Sequence, residues 1–208
     1  MIIKFDHIAL TCKISEWKEV SGKLQGYMPL FAEENVPNLS LKAALMSTWH
    51  ENHVISLLVS NEGLPIEITA YDTVAKGPQK YLLAEDSIIV RTKALRDSMA
   101  FYEALGFRTL SETEMEKSFL IAPSKLHLQF EEEKEAEESP RQHLPCLDQA
   151  GYCCLAFVTN NAEKERTNLI RKGVQVTEVD ELPLGQKTMK IFFVYNLFGD
   201  ICELIEVK

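Results

Sequence analysis

Alternating or continuous apolar positions predict strands in four segments of the chain. These segments are Phe5–Cys12, Ser87–Thr92, Cys153–Thr159 and Ile201–Val207. Apolar residues at helical spacing follow the first three strands, and each predicted helix ends at a glycine, where a left-handed cap is favoured. The predicted helices are Glu16–Gln25, Leu95–Leu105 and Ala162–Lys172, with Ser15 and Asn161 as caps of the first and third.

Two further strand-like runs close each copy of this strand–helix unit. They are Val54–Val59 and Leu64–Tyr71, then Ser118–Ile121 and Lys125–Phe130, then Lys190–Tyr195 and Ile201–Val207. The pattern predicts an α+β protein with about three repeats, which cover residues 1–72, 85–131 and 151–208. The first copy is irregular, because Leu39–His53 is predicted to form an additional helix.

Two segments separate the three copies. Residues 73–84 contain Gly77-Pro78, and residues 132–150 continue an acidic run and contain Pro140 and Pro145. Both compositions are typical of linkers, and the acidic one is expected to be exposed and mobile.

Composition and charge narrow the class of protein. The 208 residues are 46% hydrophobic, which is enough for a globular core, and 22 Lys and Arg against 31 Asp and Glu give a net charge of −9. This acidity argues against a nucleic-acid partner. No apolar run approaches the roughly 20 residues that span a bilayer, and no signal peptide is recognisable. Five irregularly spaced cysteines argue against a disulfide scaffold, so we expect a cytoplasmic protein with reduced thiols.

Three motifs together are similar to one known family. They are Asp6–Leu10 (DHIAL), Phe101–Phe107 (FYEALGF) and Phe198–Glu206 (FGDICELIE). In combination they resemble the vicinal oxygen chelate superfamily, which includes glyoxalase I, bleomycin- and fosfomycin-resistance proteins, methylmalonyl-CoA epimerase and extradiol dioxygenases.

The resemblance implies βαβββ modules that pair so that their curved mixed sheets enclose a cup. Family members hold a divalent metal in this cup with residues from the first and last strands of each module. The metal acts as a Lewis acid on two neighbouring substrate oxygens. On this basis residues 85–208 are expected to form one paired, glyoxalase-like domain.

Only some of the positions that hold the metal in the family carry metal-binding residue types in this chain. The first module offers His7 and Glu67, and the last offers Cys154 and Glu203. The middle module offers only Ser87 and Gln129, so the family's complete set of two His and two Glu ligands is absent. His7, Glu67 and Glu203 are therefore the main metal-ligand candidates, with Cys154 and Gln129 as weaker ones and Glu203 also a candidate catalytic base.

Strand alternation is consistent with this assignment, because side chains two residues apart share a face. His7 is expected to share its face with Phe5, Ala9 and Thr11, whereas Cys153 and Cys154 are expected to point to opposite faces. The alternatives are a hydrogen-bonded, half-buried His7 and an exposed Glu203.

Two residues are candidates for substrate binding. Arg91 shares a face with Ser87 and could contact a substrate carboxylate or phosphate through two hydrogen bonds. The alternative is that Arg91 reaches solvent or pairs with Glu85. Tyr71 shares a face with Glu67 and is the second candidate.

An odd number of modules leaves their pairing open. If the middle and last modules pair, a two-fold homodimer could join two first modules and bring His7 and Glu67 from each subunit together. Alternatively, the first and last modules pair within one chain, or the helix predicted at Leu39–His53 covers the first sheet in a monomer.

The resemblance implies an enzyme of isomerase, lyase or dioxygenase type that uses Zn, Ni, Mn or Fe on a small molecule with adjacent oxygens. The alternative is a metal-free protein that sequesters a small ligand, as bleomycin-resistance members do. A third possibility is a family member without catalysis that contacts a partner through its acidic linker.

Overall fold

The structure is a computed structural model that describes residues 2–61, 63–84, 87–112, 117–121, 126–132, 146–184 and 187–208. The strands of these regions, β1 to β14 in order, are Ile2–Lys13, Met28–Pro37, Asn52–Val59, Ile66–Tyr71, Tyr81–Leu83, Ser87–Thr92, Arg108–Glu112, Lys117–Ile121, Leu126–Glu132, Gly151–Thr159, Gln175–Val176, Asp180–Leu184, Lys187–Tyr195 and Ile201–Val207. The helices α1 to α3 are Trp17–Lys23, Leu95–Ala104 and Ala162–Arg171, and Ser40–Leu45 forms a 3₁₀ helix.

One pairing pattern recurs three times along the chain. In the first module, β1 pairs in parallel with β4, β4 antiparallel with β3, and β3 antiparallel with β2. The strands β6, β9, β8 and β7 repeat this order and these directions, and so do β10, β14, β13 and β12. The α+β fold with βαβββ modules in an open mixed sheet is therefore confirmed.

The first and last modules meet within one chain. β1 pairs antiparallel with β10 along most of its length, from Ile2 opposite Thr159 to Thr11 opposite Gly151. The middle module joins this sheet through β5, which pairs with β6 and, at Tyr81, with Tyr152 of β10. A homodimer stays a prediction, and it is not needed to bring His7 near a second module.

The helices lie close to where the sequence pattern predicts them. Asn161 caps α3 as predicted, since its side-chain oxygen accepts a hydrogen bond from the Lys164 backbone at 2.8 Å. The prediction of Ser15 as the cap of α1 was wrong, because Glu16 occupies that position without a side-chain hydrogen bond. The glycine after each helix has a positive φ, between 79° and 99°, which explains why glycine stands there.

The predicted helix at Leu39–His53 was wrong. Only Ser40–Leu45 is helical, as a 3₁₀ helix, and His53 already lies in β3. The buried carboxylate of Asp148 accepts hydrogen bonds from the backbone amides of Ser47 and Thr48 at 2.7 and 3.0 Å. These bonds hold the two amides in a bend, where a continuous helix would use them internally.

The sheet separates two apolar clusters. One lies between the sheet and the helices, and it contains Ile8, Tyr102 and Leu169. The other lies on the opposite face, where Leu45 of the 3₁₀ helix and Leu147 cover Ala9, Cys154 and Phe193. This second face of β1 and β10 is the one that carries the candidate site.

Only the first of the two predicted linkers lies entirely within the described residues. Residues 73–84 are not a simple spacer, because β5 belongs to the sheet and Ala75 bridges to Gln149. Residues 133–145 of the predicted acidic linker lie outside the described residues. The described helices are at most ten residues long, and none of them could cross a membrane.

Candidate functional site

The strands β4, β1, β10 and β14 lie side by side and carry the main candidate residues. His7 on β1 lies opposite Ala156 on β10, and Ala156 lies beside Glu203 on β14. In the neighbouring row, Ala9 on β1 lies beside Glu67 on β4. Ala9 on β1 and Ala156 on β10 have small side chains. The imidazole and the two carboxylates therefore have room to meet above these two strands.

The three side chains meet around one imidazole nitrogen. His7 Nε2 lies 3.5 Å from Glu67 Oε2 and 3.6 Å from Glu203 Oε2. The His7 side chain is 4% exposed and those of Glu67 and Glu203 are 15% and 11% exposed. Within the part of the chain that the structure describes, Nε2 has no hydrogen-bond partner. A buried polar nitrogen aimed at two carboxylates without a hydrogen bond is costly, and a shared ligand would satisfy it.

Asp6 fixes the orientation of the His7 ring. Its Oδ2 lies 3.1 Å from His7 Nδ1, so Nδ1 keeps a proton, and Nε2, which points at Glu67 and Glu203, offers its lone pair to a ligand once its own proton leaves. Asp6 lies at a bulge between the pairs Phe5–Phe157 and His7–Ala156. The expectation that Phe5 shares the face of His7 was therefore wrong, and Phe5 packs against Phe157 with ring centroids 5.6 Å apart.

The mutual proximity of these groups changes how they bind protons. Burial alone would lower the pKa of His7, but the carboxylates of Glu67, Asp6 and Glu203 raise it to about 9. Burial and the negative charge of Glu67 raise the pKa of Glu203 to about 7. The metal-free cluster therefore holds protons that the same groups release in the unfolded chain.

This proton uptake predicts a pH dependence of stability. The contribution of His7 is fully present below its ordinary pKa of 6.5 and is lost as pH rises through about 9, while ionisation of Glu203 destabilises the fold as pH rises from 4.5 through about 7. In the presence of a chelator, we expect the free energy of unfolding to fall between pH 5 and 9 by on the order of 3 kcal/mol.

Urea unfolding at several pH values measures this dependence. The Glu203→Gln variant is the matched control, and its stability should fall less between pH 5 and 7 than that of the natural protein. Stability that is constant or rises from pH 5 to 9 would contradict the proton uptake.

A narrow cavity lies next to this cluster and shares two of its carboxylates. Its volume is about 20 Å³, and its lining includes Lys42, Glu67, Tyr71, Cys154, Phe193 and Glu203. The cavity is open to solvent on one side, so this volume holds about one water molecule or one ion, and a larger ligand would extend out of it toward solvent.

Both cysteines of the vicinal pair reach this cavity. Ala9 lies opposite Cys154 and Leu10 opposite Tyr152, so Cys153 is the extra residue of a bulge in β10. The expectation that the two thiols point to opposite faces was therefore wrong. Burial raises the pKa of both thiols, to about 12 for Cys153, so both are protonated in the metal-free protein.

Tyr71, the second candidate for substrate binding, lies in the cavity wall. It is 1% exposed at the end of β4. His50 stacks on its ring with centroids 4.8 Å apart, and His53 lies against it at 5.8 Å. These contacts hold the phenol in place beside Glu67.

The remaining candidates lie elsewhere. Arg91, Ser87 and Gln129 belong to the adjacent strands β6 and β9 of the middle module, and none of them is among the described residues that line the cavity. Arg91 is 37% exposed in its side chain and pairs with Glu131 at 3.2 Å. Glu85, the partner predicted as the alternative for Arg91, lies outside the described residues.

Sequence reasoning missed two residues of this region. Asp6 belongs to the DHIAL motif but was given no role of its own. An acidic residue directly before a candidate ligand histidine is a sequence signal for a group that orients the imidazole. Lys42 gave no signal, because its position depends on the 3₁₀ helix that replaces the predicted helix.

One imidazole nitrogen and two carboxylates are ligands of the types that divalent metals bind in proteins. Two ligands bonded to Zn²⁺ at about 2.1 Å and at a tetrahedral angle lie about 3.4 Å apart, and the two separations from Nε2 are 3.5 and 3.6 Å. Among the described residues, no group of three or more His, Cys, Asp and Glu side chains has all its donors placed to hold one ion. Binding would therefore require the two carboxylates to close on the imidazole.

Comparison with known proteins adds a family match. The model of the Glyoxalase/Bleomycin resistance protein/Dioxygenase superfamily matches residues 85–193, which are just over half of the chain. The matched region does not contain His7, Glu67 or Glu203, so the roles of these residues are argued from geometry. A search of curated proteins gives no significant match.

Several solved structures are similar in fold. Glyoxalase I from Zea mays is 17% identical, with a TM-score of 0.41 over 97% of this chain and 67% of that chain. A putative dioxygenase from Bacillus subtilis is 9% identical, with a TM-score of 0.41 over 99% and 63%. Lactoylglutathione lyase from Agrobacterium tumefaciens is 14% identical, with a TM-score of 0.43 over 60% and 94%. At these values the likenesses carry no functional argument.

Proposed function

This chain belongs to the Glyoxalase/Bleomycin resistance protein/Dioxygenase superfamily, and on that premise we propose that it is an enzyme acting on a small molecule with two adjacent oxygens. In this proposal His7, Glu67 and Glu203 hold a divalent metal, with Zn, Ni, Mn and Fe as candidates. The observation that carries the proposal is the position of His7 Nε2, which lies 3.5 and 3.6 Å from two carboxylates of the same chain and has no hydrogen-bond partner among the described residues.

A divalent metal bound there would supply Lewis-acid polarisation of the substrate oxygens. The chain's own residues prepare that position. Asp6 keeps the proton of His7 on Nδ1, and Thr69 donates a hydrogen bond to Glu67 Oε1 at 3.2 Å. Glu67 therefore keeps its other oxygen, Oε2, for the centre of the cluster.

Glu203 is the proposed general base. A carboxylate that holds a metal through one oxygen keeps its other oxygen for proton transfer. The Glu203 carboxylate borders both the cluster and the cavity, so it can take a proton from a substrate carbon or hydroxyl placed there.

Elemental analysis of protein purified without a histidine tag or chelator tests the proposal. We expect about one transition metal per chain, or stoichiometric binding when Zn²⁺, Ni²⁺, Mn²⁺ or Fe²⁺ is added to the chelator-treated protein. Failure of all four ions to bind would contradict it.

A metal-free ligand-binding protein is the second candidate. It is favoured by the lack, among the described residues, of three donors already placed for one ion. If no metal binds and a small ligand raises the melting temperature in the presence of a chelator, this candidate replaces the enzyme.

A further inference from the structure

Lys42 brings a positive charge to the wall of the cavity. It lies on the 3₁₀ helix Ser40–Leu45, and its ammonium group is positioned above the ring of Phe193, 6.0 Å from the centroid. A cation at this distance from an aromatic face is attracted to it. Glu67 and Glu203 line the same cavity.

No ion pair within the described part of the chain neutralises this ammonium group. Two other partly buried lysines form close ion pairs, Lys190 with Glu181 at 2.6 Å and Lys80 with Asp200 at 2.9 Å. Burial opposes the charge of Lys42, whereas the aromatic face of Phe193 and the carboxylates of Glu67 and Glu203 that line the same cavity favour it. Lys42 therefore remains a cation, with N–H groups available to a ligand.

We propose that Lys42 is the anion-recognition residue of this site and that the site takes small carboxylates carrying a second oxygen on the adjacent atom. The inference rests on the proposed function for the metal-binding half of the site. Two carboxylates would neutralise a divalent cation, so the charge of Lys42 would remain available to a substrate anion beside it.

The same geometry argues against another use of Lys42. An amine that forms a covalent imine must be neutral at working pH, which requires a lowered pKa. The acidic surroundings of Lys42 act in the opposite direction. Its role in the site is thus electrostatic, through hydrogen bonds from the ammonium group to a substrate carboxylate.

The test uses glycolate, the smallest carboxylate with an adjacent oxygen, and glycolamide, its neutral analogue of similar size. Binding of both is measured by calorimetry for the natural protein, Lys42→Met, Lys42→Arg and the exposed control Lys13→Met. Each protein is measured in chelator and with saturating Zn²⁺, and Zn²⁺ binding is titrated separately. Circular dichroism verifies folding.

We expect the natural protein and Lys13→Met to bind glycolate at least about 10-fold more tightly than glycolamide, since a hydrogen bond to a charged group is worth about 1.5–3 kcal/mol. Lys42→Met should lose this preference without a change in glycolamide affinity, and Lys42→Arg should keep part of it. If folded Lys42→Met retains the preference, or if the natural protein has none, the inference is overturned.

The Zn²⁺ titration separates this inference from the proposed function. If Zn²⁺ does not bind but the preference for glycolate over glycolamide depends on Lys42, the inference is supported and the metal-dependent enzyme is contradicted. Zn²⁺ binding with a preference that is independent of Lys42 supports the enzyme and overturns the inference.

Discussion

Replacing His7 by alanine should lower the affinity for divalent metal by more than about 100-fold. His7 Nε2 is the atom on which the distances to Glu67 and Glu203 converge, and without it two carboxylates remain. Removal of a group that only orients a ligand typically costs 10–100-fold in metal affinity, so removal of the ligand itself should cost more. Calorimetric titration with Zn²⁺ or Ni²⁺ measures the effect.

Two further variants test whether the effect is specific to His7 and its orientation. Asp6→Asn should lower affinity by roughly 10–100-fold, because Asp6 acts on the metal only through the orientation of His7. His127→Ala removes a histidine from β9 of the middle module and should leave affinity unchanged. A folded His7→Ala protein that binds metal as tightly as the natural one would contradict the assignment.

Replacing Lys80 by methionine should lower the free energy of unfolding by about 3–5 kcal/mol. Lys80 pairs at 2.9 Å with Asp200, whose side chain is fully buried. Asp200 also accepts hydrogen bonds from Ser98 on α2 at 2.6 Å and from Asn196 at 2.7 Å. Loss of one partner leaves the other charge buried and uncompensated, which is among the largest effects of a single substitution.

This network joins the middle module to the last one, so its loss should be visible in thermal unfolding. For a chain of this size the expected decrease in melting temperature is on the order of 10 °C. Lys76→Met, which removes an exposed lysine nearby, should change stability by less than about 0.5 kcal/mol. The double variant Lys80→Met/Asp200→Asn should recover part of the loss, and equal effects of Lys80→Met and Lys76→Met would disprove the argument.

The repeated fold could be predicted because its signals are local. Strand alternation, helical spacing and the glycines after the helices each depend on a few neighbouring residues, and Ser87–Thr92 and Ile201–Val207 were predicted with their observed bounds. The helix at Leu39–His53 was not excluded locally, since its apolar spacing is helical. It is prevented by Asp148, about 100 residues away in sequence.

The candidate site was predictable only in part. The resemblance pointed to His7, Glu67 and Glu203, and these three lie together. Which modules pair could not be derived, because all three modules have the same strand order and offer equivalent edges. The positions of Phe5 and Cys153 depend on bulges in β1 and β10, and a bulge that reverses the facing of a residue leaves no mark in the alternation of apolar residues.

Anomalous diffraction from crystals grown with the metal that binds most tightly in solution locates the bound ion directly. We expect one anomalous peak within bonding distance of His7 Nε2 and of carboxylate oxygens of Glu67 and Glu203, all from the same chain. A peak bound by His7 and Glu67 of two different chains, or a peak away from these residues, would contradict a site formed by the first and last modules.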